Sequence, residues 1–150
     1  MFRILMIWLM LGHAASACAV PSGADAAAQS LLRWINAERA AVNLPAFRPS
    51  PALGQAARAH GCDMAGRGYF AHARPGGPTL GQRMKAAGYT FRAGNENLAR
   101  TRRLDPAAVG AMWKASPPHR AALFDPQYRD IGLALAVSGR DILWVMVAAR

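Results

Sequence analysis

A chain of 150 residues with 53% hydrophobic and 17% charged residues suits one folded domain and excludes wholesale disorder. Eighteen Lys and Arg against eight Asp and Glu give a formal charge of +10, a balance that favours anionic partners such as lipid headgroups or envelope polymers. Only Arg100, Arg102 and Arg103 cluster, with no aromatic residues interleaved, so a nucleic-acid platform is not expected.

Residues 1–19 read as an export signal. Met1–Arg3 is a basic start, Ile4–Leu11 is an unbroken apolar run, and Ala15-Ser16-Ala17 supplies the small residues that a signal peptidase needs. The run is too short to span roughly 30 Å of hydrocarbon as a mature anchor. Loss of Arg3 with the signal leaves a net charge of +9. Cys18 follows the small residues directly, so two outcomes stand open: diacylation at Cys18 as a lipoprotein, or plain cleavage after Ala17 or Ala19. If Cys18 is lost or lipidated, Cys62 is expected to be unpaired and to pack as a small hydrophobe. Two cysteines make neither a disulfide framework nor a cysteine zinc site.

Ala19–Ser30 is small and polar and reads as a leader into a first helix with Leu31, Leu32, Trp34, Ile35 and Val42 on its apolar face. Leu44-Pro45 ends that helix, and Ser50-Pro51 starts a second through a hydroxyl cap and a proline that loses no hydrogen bond. Leu53, Ala57, His60 and Met64 share one stripe of it, and Gly66 and Gly68 stop it. Arg74–Pro78 is a surface loop. Thr79 and Gln82 match a capping box that opens a short third helix ending near Gly88. Tyr89–Ala99 is an irregular strand expected to carry a bulge at Gly94. Asp105-Pro106 begins a helix through Trp113, and Ser116-Pro117 begins another turn carrying His119. Ile131–Val137 and Ile142–Ala148 are apolar strands joined by Ser138-Gly139-Arg140-Asp141, a hairpin signal.

Helices first and a terminal antiparallel hairpin last give an α+β layout. Strands apolar on both faces need helices on both sides, which predicts a three-layer α/β/α sandwich with a central, mostly antiparallel sheet, in one domain over residues 26–150.

Five segments in this order resemble the bacterial branch of the CAP superfamily, which groups cysteine-rich secretory proteins, antigen 5 and plant pathogenesis-related proteins (the SCP domain). They are Leu32–Arg39, Tyr69-Phe70-Ala71-His72, Glu96-Asn97-Leu98-Ala99, Trp113–Arg120 and Tyr128–Gly132. The resemblance implies the same sandwich and a central polar cavity lined by His72, Glu96 and His119. A second cavity glutamate found in many members falls near Ser116, where serine is usual in the bacterial branch. Asn95 stands where the family generally has Gly, a place where Asn tolerates a left-handed backbone.

Two imidazoles and a carboxylate can hold a divalent metal such as zinc, with His72 and His119 as ligands and Glu96 as base of a hydrolase or protease. The plainer reading is a His-Glu-His hydrogen-bonded network joining three elements. His60, on an apolar stripe, reads as a satisfied core histidine. Ser116, His119 and Glu96 contain the residue types of a hydrolytic triad, but no G-x-S-x-G elbow accompanies them, and Ser116 reads better as the cap of the following turn. Trp34, Trp113 and Trp144 are core residues first, although a groove between them would accept a lipid tail. The favoured function is an exported module, secreted or periplasmic, that binds lipid or another envelope ligand without catalysis. The metal-assisted hydrolase is the alternative. Membrane association through Cys18 lipidation or the basic surface remains open.

Overall fold

The computed structural model describes residues 18–150, so the stretch read as an export signal lies outside the described residues except for Cys18 and Ala19. Helix α1 spans Ala24–Ala41, strand β1 Arg48–Pro49, α2 Pro51–Arg67 and α3 Leu80–Ala86. Strand β2 spans Gly94–Thr101, followed by α4 at Pro106–Ala115, α5 at Pro117–Phe124, β3 at Asp130–Ser138 and β4 at Asp141–Ala149.

Local chemistry explains most boundaries. Ser50 Oγ accepts from Leu53 N at the start of α2. Thr79 and Gln82 form both hydrogen bonds of a capping box on α3. Asp105 Oδ1 accepts from Ala108 N at the start of α4. Three expectations need correction. α1 begins at Ala24, because the run that looks like a small polar leader is alanine-rich and alanine is the best helix former. Gly66 lies inside α2, and the stop is Gly68 in the left-handed region at φ +68°. The β2–β4 register runs unbroken from Gly94↔Ala149 to Thr101↔Ile142, so there is no bulge, and Asn95 is not among the residues with positive φ.

The sheet order is β1-β3-β4-β2, with β1 parallel to β3 and the other neighbours antiparallel. Gly139 at φ +60° opens the two-residue turn between β3 and β4, where glycine meets the left-handed requirement of the first position. Strand alternation divides two cores. Trp144, Met146 and Ala148 pack with Leu31, Ile35 and Trp113 under α1, α4 and α5. Leu143, Val145 and Val147 pack with Leu53, Met64 and Met84 under α2 and α3. The result is the expected three-layer sandwich. Gly132 permits the tight seam, since a Cβ there would lie 2.1 Å from the backbone carbon of Leu53 in α2.

Cys62 is not unpaired. Cys18 and Cys62 form a disulfide with Cα atoms 5.4 Å apart, and Val137 N donates to Ala19 O at 2.8 Å. Cys18 and Ala19 are therefore part of the fold. Cleavage after Ala19 would delete the bridge, and a thiol in a disulfide is not available for diacylation. The two cysteines were hard to pair from sequence because their separation of 44 residues says nothing about proximity. A bridge closing that loop is expected to stabilise the fold by about 4 kcal/mol. Cys62→Ala should lower the denaturant midpoint accordingly, and adding reductant to the native chain should reproduce most of the loss.

Candidate functional site

Glu96 projects from β2 toward α3 and is buried. A buried carboxylate needs partners, and the chain supplies two. Arg83 of α3, equally buried, donates from Nη2 to Glu96 Oε2 at 2.6 Å. His72 donates from Nδ1 to Oε1 at 3.0 Å, because an acceptor-only carboxylate fixes that ring nitrogen as the protonated one.

His72 sits on the loop after α2, and three ties hold that loop. His60 Nε2 donates to Ala71 O at 2.9 Å while lying 3.6 Å from Glu96 Oε1. Arg83 Nη1 donates to Pro78 O at 2.9 Å and to His72 O at 3.3 Å. Asp63 of α2 accepts from Tyr69 Oη at 2.6 Å, Arg67 Nε at 2.7 Å and Arg74 Nε at 3.2 Å. The Tyr69 hydroxyl, followed by the two arginines, pulls the Asp63 carboxyl down to about 2 against the cost of its own burial. His60 is thus a satisfied core histidine, and burial pushes its pKa below 6.5 despite the nearby Glu96.

His119 arrives from α5, which is positioned from the sheet by Asn97 Nδ2 donating to His119 O at 2.9 Å. Its Nδ1 is buried without a partner. Burial, then the neighbouring His72, lowers its pKa below 6.5, so the ring is neutral at pH 7. His72, Glu96, Asn97 and His119 line one open cleft of about 550 Å³ together with Thr79 and Leu80. Three of the expected cavity residues therefore meet.

Ser116 does not line this cleft. It occupies the N-cap position of α5, but its side chain makes no capping hydrogen bond there, so neither the triad nor the hydroxyl cap is formed. Nor do the tryptophans frame a groove. Trp113 and Trp144 are fully buried, donating to Leu98 O and Thr101 Oγ1, and Trp34 packs against Gly110. His72 and His119, the expected metal ligands, reach the same cleft with no third ligand beside them among the described residues. Among the described residues no three His, Cys, Asp or Glu side chains are placed to share an ion, and both oxygens of Glu96 are engaged.

Arg83, Asn97 and the Asp63 anchor were not read from the sequence. A signal for Arg83 existed: it follows Leu80 by three positions and precedes Met84, which places it on the inward side of a seven-residue helix.

An α/β/α sandwich with a His-Glu-His cleft at the end of its sheet defines a class. Residues 32–148 match the CAP family, described as the cysteine-rich secretory protein family, and the chain belongs to it. It is 29% identical over 119 residues to the uncharacterized protein YkwD of Bacillus subtilis, covering 79% of this chain and 46% of that protein. An extracellular protein containing an SCP domain from Bacillus anthracis superposes with a TM-score of 0.74 at 27% identity, over 85% of this chain and 41% of the other. An outer surface protein of Borrelia burgdorferi gives a TM-score of 0.79 at 19% identity, over 89% and 98% of the two chains, a likeness of fold. The chain spans less than half the length of the two Bacillus relatives.

Proposed function

We propose that this chain is an exported, non-catalytic binding module of the cell envelope or extracellular space, with lipid as its ligand class. The observation that carries the reading is the state of Glu96. Each of its oxygens already accepts a hydrogen bond, from His72 and from Arg83, which supports an anchoring role for the one carboxylate lining the cleft over that of a general base. Export is supported by the Cys18–Cys62 disulfide, a bond that persists in oxidising compartments, and by relatives described as extracellular or outer surface proteins.

A lipid tail has a place to go. A groove of about 580 Å³ runs beside β3 between the N-terminal parts of α1 and α2, with Leu32, Pro49, Pro51, Ile131 and Leu133 on its walls. Its size and apolar lining match those of small-molecule sites. The chain beginning at Cys18, mixed with a fatty acid, a sterol and a phospholipid, is expected to retain one of them in native mass spectrometry. Leu133→Arg, which puts a charge on the half-exposed groove wall, should cut retention at least about tenfold. Uptake of none of the three by the native chain would sink the lipid reading.

A further inference from the structure

We infer that the end of the sheet carrying the β3–β4 turn is a docking surface for an anionic phospholipid bilayer. Arg100 and Arg102 both lean on Asp141, at 3.8 Å and 3.6 Å, yet their side chains stay 55% and 80% exposed. Arg103 follows them and Arg140 occupies the turn beside Asp141, both exposed. Two guanidinium groups therefore share one carboxylate, and two further exposed arginines neighbour them along the chain. Asp105, which caps α4 two residues after Arg103, adds a second carboxylate to this stretch, so four arginines stand against two acids and the balance stays cationic.

The cluster is held in place. Thr101 Oγ1 donates to Arg103 O at 2.9 Å and accepts from Trp144 Nε1 at 2.9 Å, which folds the Arg102-Arg103 segment back over the strand end. Two exposed apolar side chains accompany it. Leu104 is 37% exposed, and a Cβ built on Gly23 would lie 3.5 Å from its Cδ2. Val20, 41% exposed, follows Ala19, whose carbonyl is bonded to Val137 near the same turn.

Cationic side chains interspersed with exposed aliphatic ones fit the headgroup layer, where arginine meets phosphate and aliphatic tips reach the acyl boundary. A nucleic acid would want stacking aromatics. The one at hand, Phe70, lies under the guanidinium of Arg100 at 5.2 Å. Among the described residues no helix is long and apolar enough to cross a membrane.

This inference shares with the reading above only the ligand class, and its site is separate from the groove. The test is co-sedimentation of the chain beginning at Cys18 with phosphatidylcholine vesicles containing or lacking phosphatidylglycerol. Binding is expected only to the anionic vesicles and should fall with added salt. The combined Arg102→Ser, Arg103→Ser and Arg140→Ser protein should bind roughly a hundredfold more weakly, at about fivefold per arginine, while its fatty-acid, sterol and phospholipid retention stays at the native level. Equal vesicle binding by the triple variant, equal binding to pure phosphatidylcholine, or binding to duplex DNA without binding to vesicles would each overturn it. Vesicle binding that survives in a chain retaining no lipid would support this surface and sink the groove instead.

Discussion

Arg83→Met is expected to destabilise the fold by about 3–5 kcal/mol, the cost of stranding a buried carboxylate without its cation. Glu96 is 5% exposed, and among the described residues His72 is its one other side-chain hydrogen-bond partner, so without Arg83 its charge is left largely uncompensated. Removing both charges in Arg83→Met/Glu96→Gln should recover a large part of the loss, because the penalty lies in the unpaired charge. Recovery should stop short of the native level, since Arg83 also holds the carbonyls of His72 and Pro78. Denaturant unfolding of the two single variants and the double variant measures the coupling. Additive effects would mean that the two residues do not act as a pair.

The other large effect is expected at Arg39, fully buried and paired with no carboxylate. Its Nε donates to Pro45 O at 2.8 Å, Nη1 to Leu123 O at 2.6 Å and to Asp125 O at 3.3 Å, and Nη2 to Tyr128 O at 3.3 Å. The guanidinium also stacks over the Phe47 ring at 3.9 Å. One cation thus ties α1 to the loop before β1 and to the end of α5, where the helix carbonyls present partial negative charge. Arg39→Met leaves several buried carbonyls without donors, at about 1–3 kcal/mol each. A total of about 4 kcal/mol is a large share of the 5–15 kcal/mol typical of a domain. Thermal unfolding should show the drop. Arg39→Lys should recover less than half of it, since an ammonium cannot reach carbonyls on both sides of a planar fork. A midpoint for Arg39→Met within experimental error of the native one would refute the role.

These two arginines mark where the sequence was legible and where it was not. Ser50, Thr79 and Asp105 announced their helices because each cap acts on backbone three residues away, within the reach of a local pattern. The hairpin and the two-faced strands were legible for the same reason. Arg39 and Arg83 were not, because a charged residue on an amphipathic helix reads as solvent-facing until its distant partners are known. The Cys18–Cys62 bridge failed in the same way, and with it the picture of a free Cys62. His72, Glu96 and His119 reached one cleft as the family resemblance implied, whereas periodicity and spacing alone had no means of joining a loop, a strand and a helix. Ser116 was drawn in because it stands where many family members carry a second cavity glutamate, and its place at the start of α5 leaves it outside the cleft.

The proposal that matters most is that the cleft lined by His72, Glu96 and His119 does not catalyse hydrolysis, because each oxygen of Glu96 already anchors another side chain. It is tested most directly by assaying peptide and ester hydrolysis by the chain beginning at Cys18, with and without added zinc, beside its His72→Ala and His119→Ala variants. The predicted result is the same background rate in all three proteins under both conditions. Turnover by the native chain that disappears in both histidine variants would contradict the account and restore the hydrolase.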